Sequence, residues 1–394
     1  MLLYLHVPFC RKKCSYCSFY SVVPGPEDTA RYVDMVCAEA ALWRERLGPK
    51  QVSSIYVGGG TPSLLSPRAL ERIFSAVHKS FSLDRDLECT LEGNPDSLAA
   101  FGYLHELPRL GVNRLSVGVQ STYDHYLQVL GRTHDAATAR AVCRMARDAG
   151  LANLSLDLIW GLPKQRLYTW MQQLREIMEL GPDHLSCYGL SLDEGTPLAL
   201  AAKRQDLGIA PDDDLAKMYV YGAEYLESMG LLQYEISNFA RMGYTSRHNL
   251  GYWEGRDYLG LGPSAFSTIR GRRWGNPADL DQWAEQVRSG TVGRDAETLD
   301  LETRVRELIM LRLRTTRGLR LRAYSLLTGS SFIKDFGPMV QALRQNGLIR
   351  ISHGYLRLTK NGMLVSDSIL ANLFEVRDRL ALRAAEENPP PLDG

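Results

Sequence analysis

The sequence predicts an α/β chain in which six strand–helix units build a mainly parallel sheet, followed by a smaller, largely helical domain with a terminal hairpin. Three observations carry this expectation. Short β-branched or apolar runs alternate with longer helical patterns from residue 2 to residue 190. The alternation breaks near residue 200 and gives way to a Gly- and aromatic-rich stretch. Helical periodicity resumes after Thr291 and leads into two short extended runs around His353-Gly354. Strands alternating with helices at this spacing pair in parallel through right-handed crossovers. Six such units suit either an open doubly wound sheet or a partial (β/α) barrel.

Taken in order, the strand candidates are Leu2–Val7, Val52–Val57, Leu87–Leu91, Arg114–Val119, Asn153–Ile159 and His184–Leu190. Between them lie helix candidates at Thr29–Leu47, Pro67–Ser80, Ser97–Leu110, Asp135–Ala149 and Leu167–Leu180. A further helix over Asp212–Met229 leads into the strand-like Tyr234-Glu-Ile-Ser. The stretch from Arg247-His-Asn-Leu-Gly-Tyr-Trp to Gly260-Leu-Gly-Pro-Ser extends the first domain, which is expected over residues 1–285. Over 295–385, helices are followed by a hairpin, Leu348–Ser352 with Tyr355–Thr359, and one more helix. That order suggests a winged-helix-like domain. Residues 386–394, with three consecutive prolines, read as a disordered tail.

Composition bounds the function classes. The 394 residues are 45% hydrophobic and 23% charged with a net charge of +1, an ordinary globular balance that favours neither nucleic acid nor an anionic surface. No apolar run approaches the roughly 20 residues of a membrane span, and the N-terminus reads as a first strand instead of a signal peptide. Seven cysteines, three of them within eight positions, argue against a disulfide framework and for a reducing, cytoplasmic setting. Cys37, Cys89, Cys143 and Cys187 fall in predicted helices or strands and are expected to be buried thiols. Seven arginines between Arg304 and Arg322 are interleaved with leucines and diluted by Glu302 and Glu307, which suits a solvated face or a partner-binding patch better than DNA binding.

In parallel α/β architectures, functional groups collect at the C-terminal ends of the strands. Each of the six strands here is followed by something chemically distinctive. These are Cys10-x3-Cys14-x2-Cys17, Gly58-Gly-Gly-Thr-Pro, Glu92-Gly-Asn-Pro, Gln120, Asp157 with Gly161-Leu-Pro, and Tyr188-Gly189. Cysteine thiolates are the standard ligands of iron–sulfur clusters, and three of them leave one iron open. A structural zinc site would want a fourth ligand, for which only His6, inside the first strand, is near.

Cys-x3-Cys-x2-Cys after the first strand is similar to the signature of the radical S-adenosylmethionine (SAM) superfamily. Tyr4-Leu-His-Val-Pro-Phe-Cys, Tyr56-Val-Gly-Gly-Gly-Thr-Pro-Ser, Arg114-Leu-Ser-Val-Gly-Val-Gln-Ser, Leu130-Gly-Arg-Thr-His, Asp157-Leu-Ile-Trp-Gly-Leu-Pro and Glu235-Ile-Ser-Asn-Phe-Ala resemble the oxygen-independent coproporphyrinogen III oxidase family. The resemblance implies a partial (β/α)6 TIM-type radical SAM barrel. It also implies a [4Fe–4S] cluster on Cys10, Cys14 and Cys17. SAM would lie on Glu92, Gln120, Arg132 and Asp157, beside Gly58, Gly59 and Gly60, with Tyr4, Tyr16, Thr61 and Gly189 shaping its pocket. Arg132 suits the SAM carboxylate, and glycines let the backbone approach a ligand closely.

Three features point within that family to the HemW branch of heme chaperones. Phe19 stands where the oxidase branch has another cysteine, and only nine residues precede Cys10, where the oxidases carry an extended cover. His248-Asn-Leu-Gly-Tyr-Trp253 is similar to that branch's His-Asn-x-x-Tyr-Trp motif, which would place heme on His248, Asn249, Tyr252 and Trp253. Histidine is a common axial ligand of heme iron, and aromatic rings pack on a macrocycle. The expectation is a heme chaperone with no catalytic residue, handing heme to acceptor proteins, membrane-bound respiratory proteins among the candidates. An electron donor would serve the cluster, and the chain would be a monomer or homodimer. The alternatives are coproporphyrinogen III dehydrogenase and a radical SAM methyltransferase acting on heme.

Overall fold

The computed structural model describes residues 1–204 and 207–387, with side chains as far as residue 380. The chain forms two compact units, one of residues 1–232, 237–251 and 256–298, the other of 233–236, 252–255 and 299 onward.

The first unit is built on β1 (Leu2–Val7), β2 (Gln51–Gly59), β3 (Ser82–Gly93), β4 (Arg114–Gln120), β5 (Asn153–Trp160) and β6 (His184–Gly189). They are parallel and neighbour one another in chain order. Tyr258–Leu261 adds in parallel beside β1, and Asn238–Ala240 adds antiparallel beside β6. The loops after β1 and β6 nevertheless meet: the Leu198 amide donates to Ser15 O at 2.8 Å, and Ser18 Oγ donates to Asp193 Oδ2 at 2.6 Å. Four strands separate β1 from β6, so the sheet curls into a partial barrel.

Alternation along β2 shows the logic of the two faces. Ile55 and Val57 pack outward in the apolar core, whereas Ser54 and Tyr56 point to the interior, where Thr90, Arg114, Ser116, Ser155, His184 and Ser186 are buried. The outer layer contains α1 (Asp28–Leu47), α2 (Pro67–Ser80), α3 (Pro95–Leu98), α4 (Tyr103–Arg109), α5 (Asp124–Val129), α6 (Ala136–Asp148) and α7 (Leu167–Glu179). In α2, Ser66 caps the amide of Ala69, Pro67 occupies the first turn, and Leu70, Ile73, Phe74 and Val77 form the buried stripe.

Four expectations need correction. The single helix expected over Ser97–Leu110 is split into α3 and α4, because Gly102 turns left-handed at φ 73°. Tyr234-Glu-Ile-Ser is not a strand: only Glu235 bridges, to Thr315, and the pairing beside β6 falls to Asn238–Ala240. Cys37 is half-buried, its thiol reaching Arg72 O on the outer helical layer, whereas Cys89, Cys143 and Cys187 are buried as expected. Of the disordered tail expected over residues 386–394, Glu386 and Glu387 instead belong to the Ser366–Glu387 helix, and residues 388–394 lie outside the described residues.

In the second unit, Leu301–Leu313, Leu321–Thr328, Phe332–Gln345, Lys360–Leu364 and Ser366–Glu387 are helical, and a three-stranded antiparallel sheet joins Leu319–Arg320, Tyr355–Leu358 and Ile349–Ser352. His353 and Gly354, at φ 51° and 76°, make the two-residue turn that matches hairpin twist. Tyr324 packs edge-to-face on both Phe332 and Phe336 at its core. In the arginine-rich run, Arg306 pairs with Glu302 and Asp378, Arg314 with Asp367, and Arg317 with Glu254. No described helix is long and apolar enough to cross a membrane.

Candidate functional site

A cavity of about 440 Å³ opens at the C-terminal ends of β1–β6, within the range of small-molecule sites, about 300–1,000 Å³. All six strand ends reach it. Of the residues singled out by sequence, Cys10, Cys14, Tyr16, Cys17, Gly59, Gly60, Thr61, Glu92, Gln120, Arg132, Asp157 and Gly189 line it. Tyr4 and Gly58 stand behind the wall. Tyr4 Oη lies 3.1 Å from His6 Nδ1, and a Cβ on Gly58 would come within 3.0 Å of Glu92 Oε2.

The cysteine loop is pinned at both ends. Cys10 N–H donates to Val22 O, Val22 N–H donates to Pro8 O, and Ser15 donates through N–H to Leu130 O and through Oγ to Val129 O. A chain of side chains then joins two of the cysteines. Cys10 Sγ lies 3.5 Å from Thr61 Oγ1, which accepts from Asn94 Nδ2 at 3.1 Å; Asn94 Oδ1 accepts from Arg132 Nη2 at 2.6 Å, and Arg132 Nη1 donates to Cys14 Sγ at 3.5 Å. Thr61 Oγ1 therefore bridges Asn94 and Cys10. Arg132 thus sets a charged donor beside Cys14, and its link through Asn94 and Thr61 ties the two cysteines into one network. Burial pushes the Cys17 thiol up, with the neighbouring thiols adding to the effect.

Close approach and strain mark the walls. A Cβ on Gly60 would lie 2.6 Å from Phe9 O, so only glycine fits against the peptide that leads into Cys10. Gln120 ends β4 at φ 65°, a left-handed conformation that costs a non-glycine residue energy and tends to be kept at functional sites. Its amide folds back over Gly118, where a Cβ would meet Nε2 at 2.9 Å.

Two interior carboxylates face the cavity. Tyr56 Oη donates to Glu92 Oε1 at 2.6 Å, and Ser116 Oγ reaches both oxygens of Asp157 at 3.3 Å. Burial raises the Glu92 carboxyl to about 7, against the lowering effect of the Tyr56 hydrogen bond. Asp157 is raised as well, chiefly by burial, with Ser186 and Arg114 opposing. Both are poised to gain from a ligand that brings hydrogen-bond donors or positive charge.

The donor set suits an iron–sulfur centre. Cys10, Cys14 and Cys17 are free and partly exposed to the cavity. In a cubane each thiolate binds its own iron, so three separate sulfurs around one cavity suit it. Carboxylate, amide and glycine walls around the same space suit a ligand bearing an ammonium group and hydroxyls.

The expected heme residues lie elsewhere. His248 and Asn249 sit on the Arg247–Trp253 helix within the first unit, while Tyr252 and Trp253 belong to the second. His248 is 1% exposed; its Nδ1 lies 2.9 Å from Ser54 Oγ, and its N–H donates to Glu88 Oε1. Glu88 and Ser54 pair in register in the middle of β3 and β2, five residues short of the strand ends at Gly93 and Gly59 that reach the cavity. Burial and Arg114 lower the His248 imidazole to about 3, so the ring is neutral.

Sequence reasoning missed Asn94, Ser116, Gly118 and Tyr56. Asn94 had a signal, since it stands in the Glu92-Gly-Asn-Pro run after β3; Tyr56, Ser116 and Gly118 stand within the runs that carry the family resemblance, but on their strands they have no chemistry that marks them as site residues.

Comparison with known proteins agrees with this geometry. Residues 4–180 match the radical SAM superfamily, and residues 299–365 match the HemN C-terminal domain. The chain is 37% identical over 391 residues to the mitochondrial radical S-adenosyl methionine domain-containing protein 1 of Bos taurus, covering 94% of this chain and 87% of that protein. It is 32% identical to the heme chaperone HemW of Bacillus subtilis, covering 93% and 97%. The solved coproporphyrinogen III oxidase (HemN) of Escherichia coli, described as a radical SAM enzyme, superposes with a TM-score of 0.79 at 25% identity, covering 94% of this chain and 89% of that one.

Proposed function

Because the chain belongs to the radical SAM superfamily and, within it, to the family of the heme chaperone HemW, we propose that it binds a [4Fe–4S] cluster, SAM and heme, and passes heme to acceptor proteins. The observation that carries the reading is similarity to HemW over nearly the whole of both chains. Within the cavity, Phe19 is 68% exposed at the position where the oxidase branch resembles this loop but carries another cysteine.

Cys10, Cys14 and Cys17 would hold the cluster, which would supply a one-electron reductant and an open iron for SAM. The chain's own residues do the rest. Thr61, Asn94 and Arg132 link two of the cysteines, with Arg132 donating to Cys14 and the Thr61 hydroxyl lying against Cys10. Glu92, Asp157 and Gln120 receive the ammonium and hydroxyl groups of SAM, and Gly59 and Gly60 let it lie against the backbone. Arg132 completes the set by facing the SAM carboxylate.

Heme is assigned to the His248, Asn249, Tyr252 and Trp253 motif. His248 is 1% exposed with its Nδ1 on Ser54 and its ring packed on Tyr56, so a heme iron on this ring would need Nε2 to become accessible. The working compartment is the cytoplasm, with an acceptor protein and an electron donor as partners and a monomer or homodimer as the assembly.

The test is a transfer assay. Reconstituted protein loaded with one heme per chain is mixed with an apo-hemoprotein, and the acceptor's Soret band is followed. Heme transfer faster than from free heme or serum albumin supports the proposal; no stable heme binding overturns it. Likeness to the coproporphyrinogen III oxidase structure keeps porphyrinogen decarboxylation as the second reading. A methyltransferase acting on heme is the third, readable as product from bound heme.

A further inference from the structure

We propose that Tyr56 is a positioning residue for the SAM site, clamped on its ring by His248 and holding the Glu92 carboxylate through its hydroxyl. The proposal rests on the reading of Glu92 as a SAM-binding residue and adds to it the elements that hold Glu92 in place.

Side chains alternate along a strand, so Ser54, Tyr56 and Gly58 face the barrel interior from successive positions of β2. Each makes one link of a column. At the lower link, Ser54 Oγ lies 2.9 Å from His248 Nδ1. At the middle link, the Tyr56 ring packs on the His248 ring, centroids 5.1 Å apart and planes inclined at 33°, with Tyr4 on another side at 6.3 Å. At the upper link, Tyr56 Oη donates to Glu92 Oε1 at 2.6 Å. Gly58 leaves the room this junction needs, since its Cβ would lie 3.0 Å from both Tyr56 Cε1 and Glu92 Oε2.

The base of the column is fixed. His248 N–H donates to Glu88 Oε1 and Arg247 N–H to Glu88 Oε2, each at 2.8 Å, so a buried carboxylate holds the first turn of the Arg247–Trp253 helix. The Tyr56 ring consequently has little freedom to turn its hydroxyl away from Glu92. The histidine motif is thereby connected to the SAM cavity through one aromatic ring. A His248 that moved out to ligate another group would release the Tyr56 ring and, with it, Glu92.

The proposal is tested with reconstituted full-length protein, measuring SAM dissociation constants by equilibrium dialysis from pH 6 to 9. Iron per chain and the unfolding midpoint are recorded for each variant. Tyr56→Phe keeps the ring and removes only the hydroxyl. It is expected to weaken SAM binding about ten- to 150-fold, the worth of one hydrogen bond to a charged group, with iron content unchanged. The groups facing Glu92 are Tyr56 from β2, Asp157 from β5, Arg114 from β4 and the Gly59 amide. Removing the hydroxyl takes away a lowering influence on Glu92, so the acid limb of SAM binding moves to higher pH. The ammonium group of SAM titrates alike with every variant and drops out of the comparison. His248→Ala is expected to weaken SAM binding in the parent and to add nothing in the Tyr56→Phe background. Full affinity in Glu92→Gln overturns the reading of Glu92 and the proposal together. Weakened binding in Glu92→Gln with an unchanged pH profile in Tyr56→Phe overturns the proposal alone. Additive losses in the double variant overturn the clamp. If His248→Ala does not fold, the pH profile of Tyr56→Phe decides.

Discussion

Substituting Gly60 by alanine tests whether the backbone approach at the cluster loop is as close as the structure makes it. The added Cβ would lie 2.6 Å from Phe9 O and 3.0 Å from both Phe9 C and Phe9 N. Carbon and oxygen in favourable contact sit about 3.3 Å apart, so the two segments must separate by roughly 0.7 Å. The obstacle is main chain, which no rotamer change relieves. Gly60 N–H also donates to Val7 O at 2.7 Å, and Cys10 N–H donates to Val22 O, so the displacement bears directly on the first cluster cysteine. Overpacking of this kind costs about 1–3 kcal/mol. Gly60→Ala is therefore expected to fold with a lowered unfolding midpoint and to retain less iron after anaerobic reconstitution. Gly337→Ala is the control, because its Cβ meets nothing within 4 Å and its φ is not left-handed. Iron per chain and the unfolding midpoint are read on both. Full iron loading and an unshifted midpoint in Gly60→Ala would refute the reasoning.

Asn94→Ala removes the amide that joins Thr61 to Arg132. The cluster should still form but be stripped faster by a chelator, and stability should fall by about 2–4 kcal/mol for one neutral and one charge-assisted hydrogen bond; an unchanged stripping rate would remove Asn94 from the supporting ring. Glu39, buried beneath the Gly262 amide, Asn276 and Trp283, is raised from 4.5 to about 7 by burial. The folded chain thus holds a proton that the unfolded chain releases, so this carboxyl favours folding most below pH 4.5 and the advantage is lost as pH rises to about 7. Glu39→Gln should flatten that part of the stability–pH curve, read from urea midpoints; an unchanged slope would show that Glu39 is ionised throughout. His248→Ala should weaken heme binding in a spectroscopic titration while leaving iron content intact, and unchanged heme affinity would take His248 out of the heme site.

Much of the first unit was legible because its determinants are local. Six apolar runs separated by amphipathic helices fix a parallel α/β unit, and the three cysteines lie within eight positions of one loop. Strand-end placement also located the cavity, because a parallel sheet brings its C-terminal ends together whatever the intervening helices contain. What stayed hidden depends on distant partners. Asn94 is an ordinary turn residue until the fold sets it between Thr61, 33 positions away, and Arg132, 38 positions away. Tyr56 reads as a strand aromatic until Glu92 and His248 close on it. His248 lies in a Gly- and aromatic-rich stretch that looks like an exposed loop, and its burial comes from Ser54, 194 positions earlier. Helical periodicity runs through Gly102, so the break between α3 and α4 shows only in the backbone.

The most direct test of the central claim is an anaerobic incubation of the reduced, cluster-loaded protein with SAM and coproporphyrinogen III, with tetrapyrroles separated by chromatography. A heme chaperone leaves the porphyrinogen unchanged while the same preparation binds heme at one per chain. Catalytic formation of protoporphyrinogen IX would contradict the account and make the chain an oxidase.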